Sequence, residues 1–519
     1  MTETTQDAIL QFLRTNASHG PSVADAVIQT HAALVFLHAD EAMKIKRAVR
    51  YDYLDASTLD SREAMLRREL ELNAPAAPGL YRDVVPITRD ADGAFRLGGA
   101  GEPVEWVLRM TRFPAEAELS DMADRGRIDS AMAEALGAAI ARYHAAAPVA
   151  DLPGSVLIAE IIDELDRVLA DLADQVGPDR VRRFLDAARD AHRATAPLLD
   201  ARTGAAWVRR CHGDLHLRNL ILWNGVPTPF DALEFDERLG TCDVLYDLAF
   251  LLMDLSHRCL DGPANRVLNV YLHAAASADH LRALAAMPLF LSVRAAIRAM
   301  VEVQTAAFQD DPAPLIEDGA HFLDQANAYL ERHACCLVAI GGLSGSGKTT
   351  VAKRIAPALG AFPGALHLRS DLERKALFGV EPTTRLPVEA YDSATTARVY
   401  EAMRAKARLA LAAGHSVILD AAHHDPEERA QAERLAQEAR CPFCGLWLEA
   451  DTETRVDRVN TRKQGASDAD AAVARQQSAL HTGAIGWHRV QTTGTAEGAV
   501  SEAHRAIEDC NTRASERMP

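Results

Sequence analysis

Between Cys211 and Asp231 the sequence spaces an acid, an amide and a second acid in a way that points to one chemistry. The run Cys211-His-Gly-Asp-Leu-His-Leu-Arg-Asn219 carries Asp214 and Asn219, and Phe230-Asp231 follows after a short hairpin-like segment. Phosphoryl transfer from a magnesium nucleotide needs a carboxylate to orient and deprotonate the acceptor hydroxyl, and oxygen ligands for the metal ions that bridge the phosphates. Asp214 is read as the base, and Asn219 and Asp231 as the magnesium (Mg2+) ligands. A His-x-Asp triplet alone is weak; the same triplet with Asn five residues on and Phe-Asp twelve beyond that is specific. Glu234 and Asp236 stand as rivals to Asp231 for the metal. His212 is expected to fix the loop by hydrogen bonds, with His216 and Arg218 either supporting it or facing phosphates.

A second nucleotide signature follows more than a hundred residues later. Gly341-Gly-Leu-Ser-Gly-Ser-Gly-Lys-Thr-Thr350 leaves the apolar run Cys335-Cys-Leu-Val-Ala-Ile340 and enters a helix expected from about 348 to 358. This is the complete phosphate-loop pattern in its strand–loop–helix setting. The loop from Gly342 through Ser344, Gly345, Ser346 and Gly347, with Thr350 behind it, presents backbone donors to phosphates. Lys348 reaches the β- and γ-phosphates and Thr349 offers a hydroxyl to magnesium. Asp420 closes the apolar run His415-Ser-Val-Ile-Leu-Asp420 and suits the metal or its waters. Asp371, at the end of Leu366-His-Leu-Arg-Ser-Asp371, is placed to orient or deprotonate an acceptor, with Arg374 and Lys375 one turn on for an anionic acceptor. Arg455, Arg458 and Arg462-Lys463 have the spacing of a small basic lid, from which Arg458 and Arg462 are assigned to catalysis.

The elements that must hold these residues divide the chain into three parts. In a first lobe, about 1–115, residues 1–30 carry helical apolar spacing. Ala33–Leu37 and Ala42–Lys46 read as paired strands around a turn at 38–41. Alternation puts Lys44 and Lys46 on one face, and either can meet the α- and β-phosphates if a helix supplies a carboxylate. Lys44 is preferred, with Glu69 on the strongly helical Ser61–Leu72 as its partner and Glu71 as the lesser choice. Tyr81–Thr88 and Val104–Met110 read as strands around an Asp-Gly turn at 92–93. The backbone near Arg109 to Thr111 would then pass an adenine ring. No Gly-x-Gly-x-x-Gly loop precedes Lys44, so the turn at 38–41 must cover the phosphates. A helical lobe, about 116–330, has helices over 130–147, through Leu165 to Val176, over 178–195, 280–303 and 315–332. Asp254, His257 and Arg258 are polar groups available to a substrate or to the surface. The third part, about 333–515, is an α/β domain around the phosphate loop, with its tail expected to fray after about 508.

A chain of 519 residues is too long for one core, which agrees with several domains. The net charge of -17 argues against general nucleic-acid or anionic-membrane binding. The N-terminus lacks the basic-then-apolar pattern of a signal peptide, and no uninterrupted apolar run reaches the roughly 20 residues that span a bilayer. Eight cysteines in a chain of this length do not make a disulfide scaffold, and a cytoplasmic setting is expected. Cys441-Pro-Phe-Cys444 has the spacing of half a zinc site or of a redox pair, yet no second pair follows at metal-site spacing; structural cysteines are expected.

Over roughly residues 30–300 the sequence resembles the aminoglycoside phosphotransferase-like family, a small-molecule branch of the protein-kinase-like fold. The resemblance implies ATP, a hydroxyl acceptor, Asp214 as base, and Asn219 and Asp231 on the metal. It also implies Lys44 and Glu69 at the phosphates and a scaffold role for Asp247 in Asp243-Val-Leu-Tyr-Asp247-Leu-Ala. Residues 333–515 resemble small phosphate-loop kinases such as gluconate, polynucleotide and chloramphenicol kinases, which implies that Asp371 acts on the acceptor. The whole chain resembles bifunctional proteins that fuse the two. The fold expected is therefore multidomain: a protein-kinase-like, aminoglycoside phosphotransferase-like bilobal α+β region followed by an α/β P-loop domain with a parallel sheet. The function expected is ATP-dependent phosphoryl transfer to a hydroxyl of a small molecule, with a second P-loop ATP site. The alternative is a nucleotide-sensing regulatory protein in which one site hydrolyses or only binds ATP. Protein substrates are disfavoured, because no Ala-Pro-Glu activation segment follows Asp231. The acceptors and the oligomeric state stay open.

Overall fold

The computed structural model describes residues 3–18, 20–30, 32–51, 54–461, 466–479 and 481–515. It forms two compact units, one built from residues 1–157 with 200–254 and the other from 158–199 with 255–519.

The first unit is organised on a six-stranded antiparallel sheet. In spatial order its strands are Ala26–Gln29, Ala33–Leu37, Glu41–Lys46, Glu102–Thr111, Tyr81–Arg89 and Phe95–Leu97. The helical reading of residues 1–30 holds only for Glu3–Thr15. The β-branched pair Val27-Ile28 instead joins the sheet edge, with Val27 opposite Phe36. Phe95–Leu97 is a further short strand that the sequence reading passed over; it pairs back onto Ile87–Arg89 across the turn containing Gly93. Alternation along the sheet divides the apolar residues between its two faces. Phe36, Met43, Ile45 and Val107 pack with Ile9 and Leu13 of the first helix. Leu108, Met110, Tyr81 and Val84 pack with Leu66 of helix Leu59–Asn73. That helix starts where the Thr58 side chain accepts the Ser61 N–H, a standard helix N-cap. Its buried positions, Arg62, Leu66, Glu69 and Asn73, recur at steps of three and four, so one stripe faces the sheet. Two small antiparallel pairs flank the His-Gly-Asp run, the hairpin of Leu220–Trp223 with Val226–Pro229 and the long-range pair of Val208–Arg210 with Thr241–Asp243.

The second unit contains a five-stranded, wholly parallel sheet in the order Leu366–Arg369, Val417–Asp420, Leu337–Gly341, Phe443–Glu449, His488–Gln491. The three central strands read as near-continuous apolar runs because both faces are covered, whereas the edge strands Leu366–Arg369 and His488–Gln491 carry polar residues. Val338, Ile340, Leu446 and Leu448 pack against helix Lys348–Ile355 and the last helix, Ala496–Ser515. That helix continues beyond the fraying point expected near 508, because Ala503 and Ile507 are anchored in this core. Helix Asp261–Ala275 caps the edge strand: Asn265 donates to Pro363 O and Ala365 O (2.9 and 3.0 Å), and His367 N–H donates to Asn269 Oδ1 (2.7 Å). Side-chain amides thus satisfy backbone groups that an open sheet edge would leave unpaired. By length and composition one helical stretch among the described residues, Ala278–Ala306, could cross a membrane; 67% of its apolar window is buried inside the protein.

Candidate active sites

In the first unit the His-Gly-Asp run is held from behind by Asp247, which is wholly buried at the start of helix Val244–His257. Its two oxygens accept the N–H groups of His212 (3.1 Å) and Gly213 (3.0 Å), and one also meets His144 Nε2 at 3.2 Å. Gly213 sits at φ 84°, a left-handed conformation that glycine adopts without steric cost. His212 Nδ1 accepts the Asp214 N–H at 3.3 Å, so Nε2 carries the proton and donates to Phe230 O at 2.9 Å. Burial holds this imidazole below its ordinary pKa, which suits the neutral tautomer. One histidine thus fastens the Asp214 loop to the Asp231 loop. Asp254, considered for the substrate, accepts the Leu217 N–H at 2.8 Å and so shapes the same loop.

Asp214 and Asn219 touch directly. Asn219 Nδ2 donates to Asp214 O (2.9 Å) and to Asp214 Oδ2 (2.8 Å), and His216 Nε2 lies 3.3 Å from the same carboxylate oxygen. Asp231 follows at φ 60°, a strained conformation for a non-glycine residue. It is held there because its N–H donates to the Tyr81 hydroxyl (2.9 Å) and the next N–H, of Ala232, donates to Asn73 Oδ1 (2.9 Å). Neither Tyr81 nor Asn73 stood out in the sequence. Asn73 carried a faint signal, one helical turn past Glu69 on the same face.

Both strand lysines reach Glu69. Lys44 Nζ is 2.7 Å from Glu69 Oε1 and 2.6 Å from Asp231 Oδ1; Lys46 Nζ is 2.8 Å from Glu69 Oε2 and 2.6 Å from Glu234 Oε1. Glu71 points elsewhere, to Arg68 at 2.7 Å. Burial alone would lower the Lys44 ammonium, but the charges of Asp231, Glu69 and Glu234 outweigh it and hold its pKa well above the ordinary value. Burial likewise pushes the Asp231 carboxyl up, and the charge and hydrogen bond of Lys44, with Lys46, bring it below the usual range. Two ammonium groups against three carboxylates leave this cluster one negative charge in excess, which suits an added cation. The Asp231 side chain is 41% exposed and that of Glu234 only 8%. Asp236 is spent on the turn behind them, accepting the N–H groups of Arg238 (2.7 Å) and Leu239 (3.0 Å). The Asn219 amide and the open Asp231 carboxylate form an all-oxygen donor set that fits magnesium. At the expected adenine strand, the N–H groups of Thr111 and Arg112 are already donated to Leu80 O (2.7 Å) and Asp40 O (3.1 Å), because sheet-type pairing continues through Thr111.

In the second unit the phosphate loop turns between strand Leu337–Gly341 and helix Lys348–Ile355. Gly345 has φ 84°, and a Cβ there would lie 2.5 Å from Arg455 O; Gly342 has φ 139°, and a Cβ would lie 2.5 Å from Leu448 O. Both positions therefore demand glycine. Lys348 Nζ donates to Gly342 O and Leu343 O (2.9 and 3.0 Å), so the lysine lies folded along the loop. Thr349 Oγ1 donates to Asp420 Oδ2 at 2.7 Å, and His367 Nε2 lies 3.0 Å from the same oxygen. Burial pushes Asp420 up, but the His367 hydrogen bond and the charges of Arg369 and Lys348 hold it at about 2. This hydroxyl–carboxylate pair beside Lys348 again fits a hard cation. Asp371 lies in the first turn of helix Ser370–Leu377, and burial raises its carboxyl pKa against the pull of Arg369. A raised carboxyl is the better proton acceptor.

The proposed basic groups divide. Arg374 and Lys375 do not present charge to an acceptor. Arg374 is buried, donating to Ala390 O (2.7 Å), and Lys375 pairs with Asp468 at 2.6 Å. Arg455 is also buried and bonds Ala474 O (3.0 Å) and Ser344 O (3.4 Å). Arg458 donates to the Thr492 hydroxyl at 3.3 Å, and its guanidinium lies 3.8 Å from a Cβ built on Gly347, beside the loop. Arg462 lies outside the described residues. A contact the sequence did not signal is Gln477, whose Oε1 accepts the Ser344 N–H at 2.7 Å.

A lysine–glutamate pair on a strand and helix, facing an Asp…Asn…Asp run, and a phosphate loop on a five-stranded parallel sheet define the class: a kinase-like α+β region joined to a P-loop kinase-like α/β domain. The chain belongs to the same family as the mycobacterial protein Rv2004c. It is 30% identical over 484 residues to the uncharacterized protein Rv2004c of Mycobacterium tuberculosis, covering 92% of this chain and 94% of that protein, and equally to a counterpart in Mycobacterium bovis. A family described as an AAA domain matches residues 337–483. Among solved structures, a gluconokinase from Sinorhizobium meliloti 1021 is 17% identical, over 36% of this chain and 100% of that one, with a TM-score of 0.26. The GDP complex of wild-type aminoglycoside 2'-phosphotransferase-IIIa is 14% identical, over 63% and 99%, with a TM-score of 0.37.

Proposed function

We propose that the first unit transfers the γ-phosphoryl group of ATP to a hydroxyl of a small molecule, and that the P-loop domain is a second ATP-dependent phosphotransferase site. The observation that carries the first reading is the convergence, within one unit, of Asp214 with Asn219 and of Lys44 with Glu69 and Asp231. In this reading Asp214 orients the acceptor hydroxyl and takes its proton. Asn219 holds the Asp214 carboxylate in place through its amide N–H and turns its own oxygen to the metal. Lys44 contacts the α- and β-phosphates while Glu69 keeps it extended, and Asp231, with its open carboxylate, would hold magnesium. Bound magnesium neutralises charge that develops on the phosphates. In the P-loop domain Lys348 leaves the loop carbonyls for the β- and γ-phosphates, Thr349 and Asp420 hold the metal or its waters, Asp371 receives the acceptor proton, and Arg458 meets the transferring group. The division into parts at about 115 and 330, and a cytoplasmic setting, belong to the same reading.

The test is a pair of separate knockouts incubated with labelled ATP and a broad metabolite pool. Asp214→Asn is expected to abolish one set of labelled small molecules while sparing ATP binding, and Lys348→Ala to remove another set. Label found only in inorganic phosphate, in both variants and in wild type, would overturn the two-kinase reading and favour nucleotide sensing.

A further inference from the structure

The sequence offers Cys441-Pro-Phe-Cys444 as half of a metal site without its other half, and the fold supplies different partners. Cys444 lies at the second position of strand Phe443–Glu449, His488 opens the neighbouring strand His488–Gln491, and Cys510 sits on the last helix, Ala496–Ser515. One ligand atom from each lies within 4.8 Å of the other two. Cys510 Sγ and His488 Nε2 are 3.5 Å apart. A zinc ion with Zn–S of about 2.3 Å and Zn–N of about 2.05 Å in tetrahedral geometry sets its sulfur and nitrogen about 3.6 Å apart. The observed edge already has that length.

We propose that Cys444, His488 and Cys510 form a zinc-type cation site in the P-loop domain, with the fourth position open to water. The chemistry of the set is specific: two sulfurs and an imidazole select a borderline-soft cation over magnesium. Cys444 is 2% exposed and seated in the apolar core, whereas His488 and Cys510 are half-buried and give the ion a path from solvent. The site is distinct from the phosphate loop. Strand register pairs Val338 with Cys444 and Gly341 with Trp447, which separates the cluster from the loop entrance by three residues, or about 10 Å along the strand. Binding joins two strands to the terminal helix and releases the two thiol protons to solvent. Cys441, the other half of the Cys-x-x-Cys pair, takes no part.

The test uses the full chain, reduced and stripped of metal with a chelator, then titrated with Co2+ and displaced with Zn2+. One equivalent of Co2+ is expected to give sulfur-to-cobalt charge-transfer absorption and the intense visible bands of a tetrahedral ion, and Zn2+ to erase both. Cys510→Ser and Cys444→Ser are expected to lose these bands, and Cys441→Ser to retain them. His488→Gln is expected to weaken Co2+ binding by more than about tenfold. A wild-type chain with no charge-transfer band at one equivalent overturns the proposal, as does a band that survives Cys510→Ser or disappears in Cys441→Ser. His488 and Cys510 are half-buried and come from different elements, so a folding failure in one variant, checked by circular dichroism, leaves the other to decide.

Discussion

Replacing Lys46 with Met tests whether this lysine is a structural counter-ion while Lys44 serves the nucleotide. Lys46 Nζ lies 2.8 Å from Glu69 and 2.6 Å from Glu234, and the three side chains are 3%, 0% and 8% exposed. At those distances and an effective dielectric near 20, each contact is worth about 6 kcal/mol before desolvation. Desolvation of the ions offsets most of that, so the informative quantity is what remains when one partner goes. In Lys46→Met, Glu69 keeps Lys44, but Glu234 is left as a buried carboxylate without its cation. The expected loss is about 3–5 kcal/mol. Replacing both, Lys46→Met with Glu234→Gln, removes the stranded charge and is expected to return stability to within about 2 kcal/mol of wild type. A multidomain chain need not unfold in one step, so the assay is hydrogen exchange of peptides from strand Glu41–Lys46 through a denaturant series. Strictly additive losses in the double variant would refute the buried-pair account. Lys44→Met supplies the contrast: its partner Asp231 is 41% exposed, so the stability loss is smaller, while turnover at the first site falls by about 10²–10³. Activity lost equally in Lys46→Met/Glu234→Gln would move Glu234 to the metal.

Three further outcomes follow from particular contacts. Asp247→Ala removes the buried acceptor of His212, Gly213 and His144, and is expected to cost about 3 kcal/mol or more and to lower kcat at the first site, measured by denaturation and by turnover. Gly345→Ala places a Cβ 2.5 Å from Arg455 O at φ 84°, and is expected to abolish nucleotide binding at the P-loop, read in an ATP titration as the loss of one of two binding equivalents. Burial holds the His415 imidazole at about 4, against about 6.5 in an unfolded chain, so unfolding takes up a proton between those values and stability falls as the pH drops through them. From pH about 7.5 to about 5 this amounts to about 2 kcal/mol. His415→Gln is expected to remove that share of the slope in urea midpoints compared at the two pH values; an unchanged slope would show that His415 does not carry it.

What could be read from the sequence was the chemistry confined to contiguous runs. The phosphate loop and the His-Gly-Asp run announce themselves because their ligands lie within about twenty residues of one another, and period-two alternation was enough to put Lys44 and Lys46 on one face. Contacts between distant residues were not legible: Tyr81 meets Asp231 across 150 positions, Asn73 meets Ala232 across 159, and Gln477 meets Ser344 across 133. Burial was equally hidden. Arg374 and Lys375 sit beside Asp371 and read as an anion clamp, yet each is enclosed and paired, because a sequence shows a charge and not what stands opposite it. The same distinction bears on the two strand lysines, which are alike in sequence, in strand position and in their shared Glu69. They differ in the counter-ion on the far side. The carboxylate opposite Lys44 is open to solvent and can be given up to a magnesium nucleotide. The one opposite Lys46 is enclosed, so parting that pair would strand a charge at a cost about as large as many proteins' whole stability margin. Exposure of the counter-ion, more than the lysine's own position, therefore favours Lys44 as the residue that changes partners during turnover.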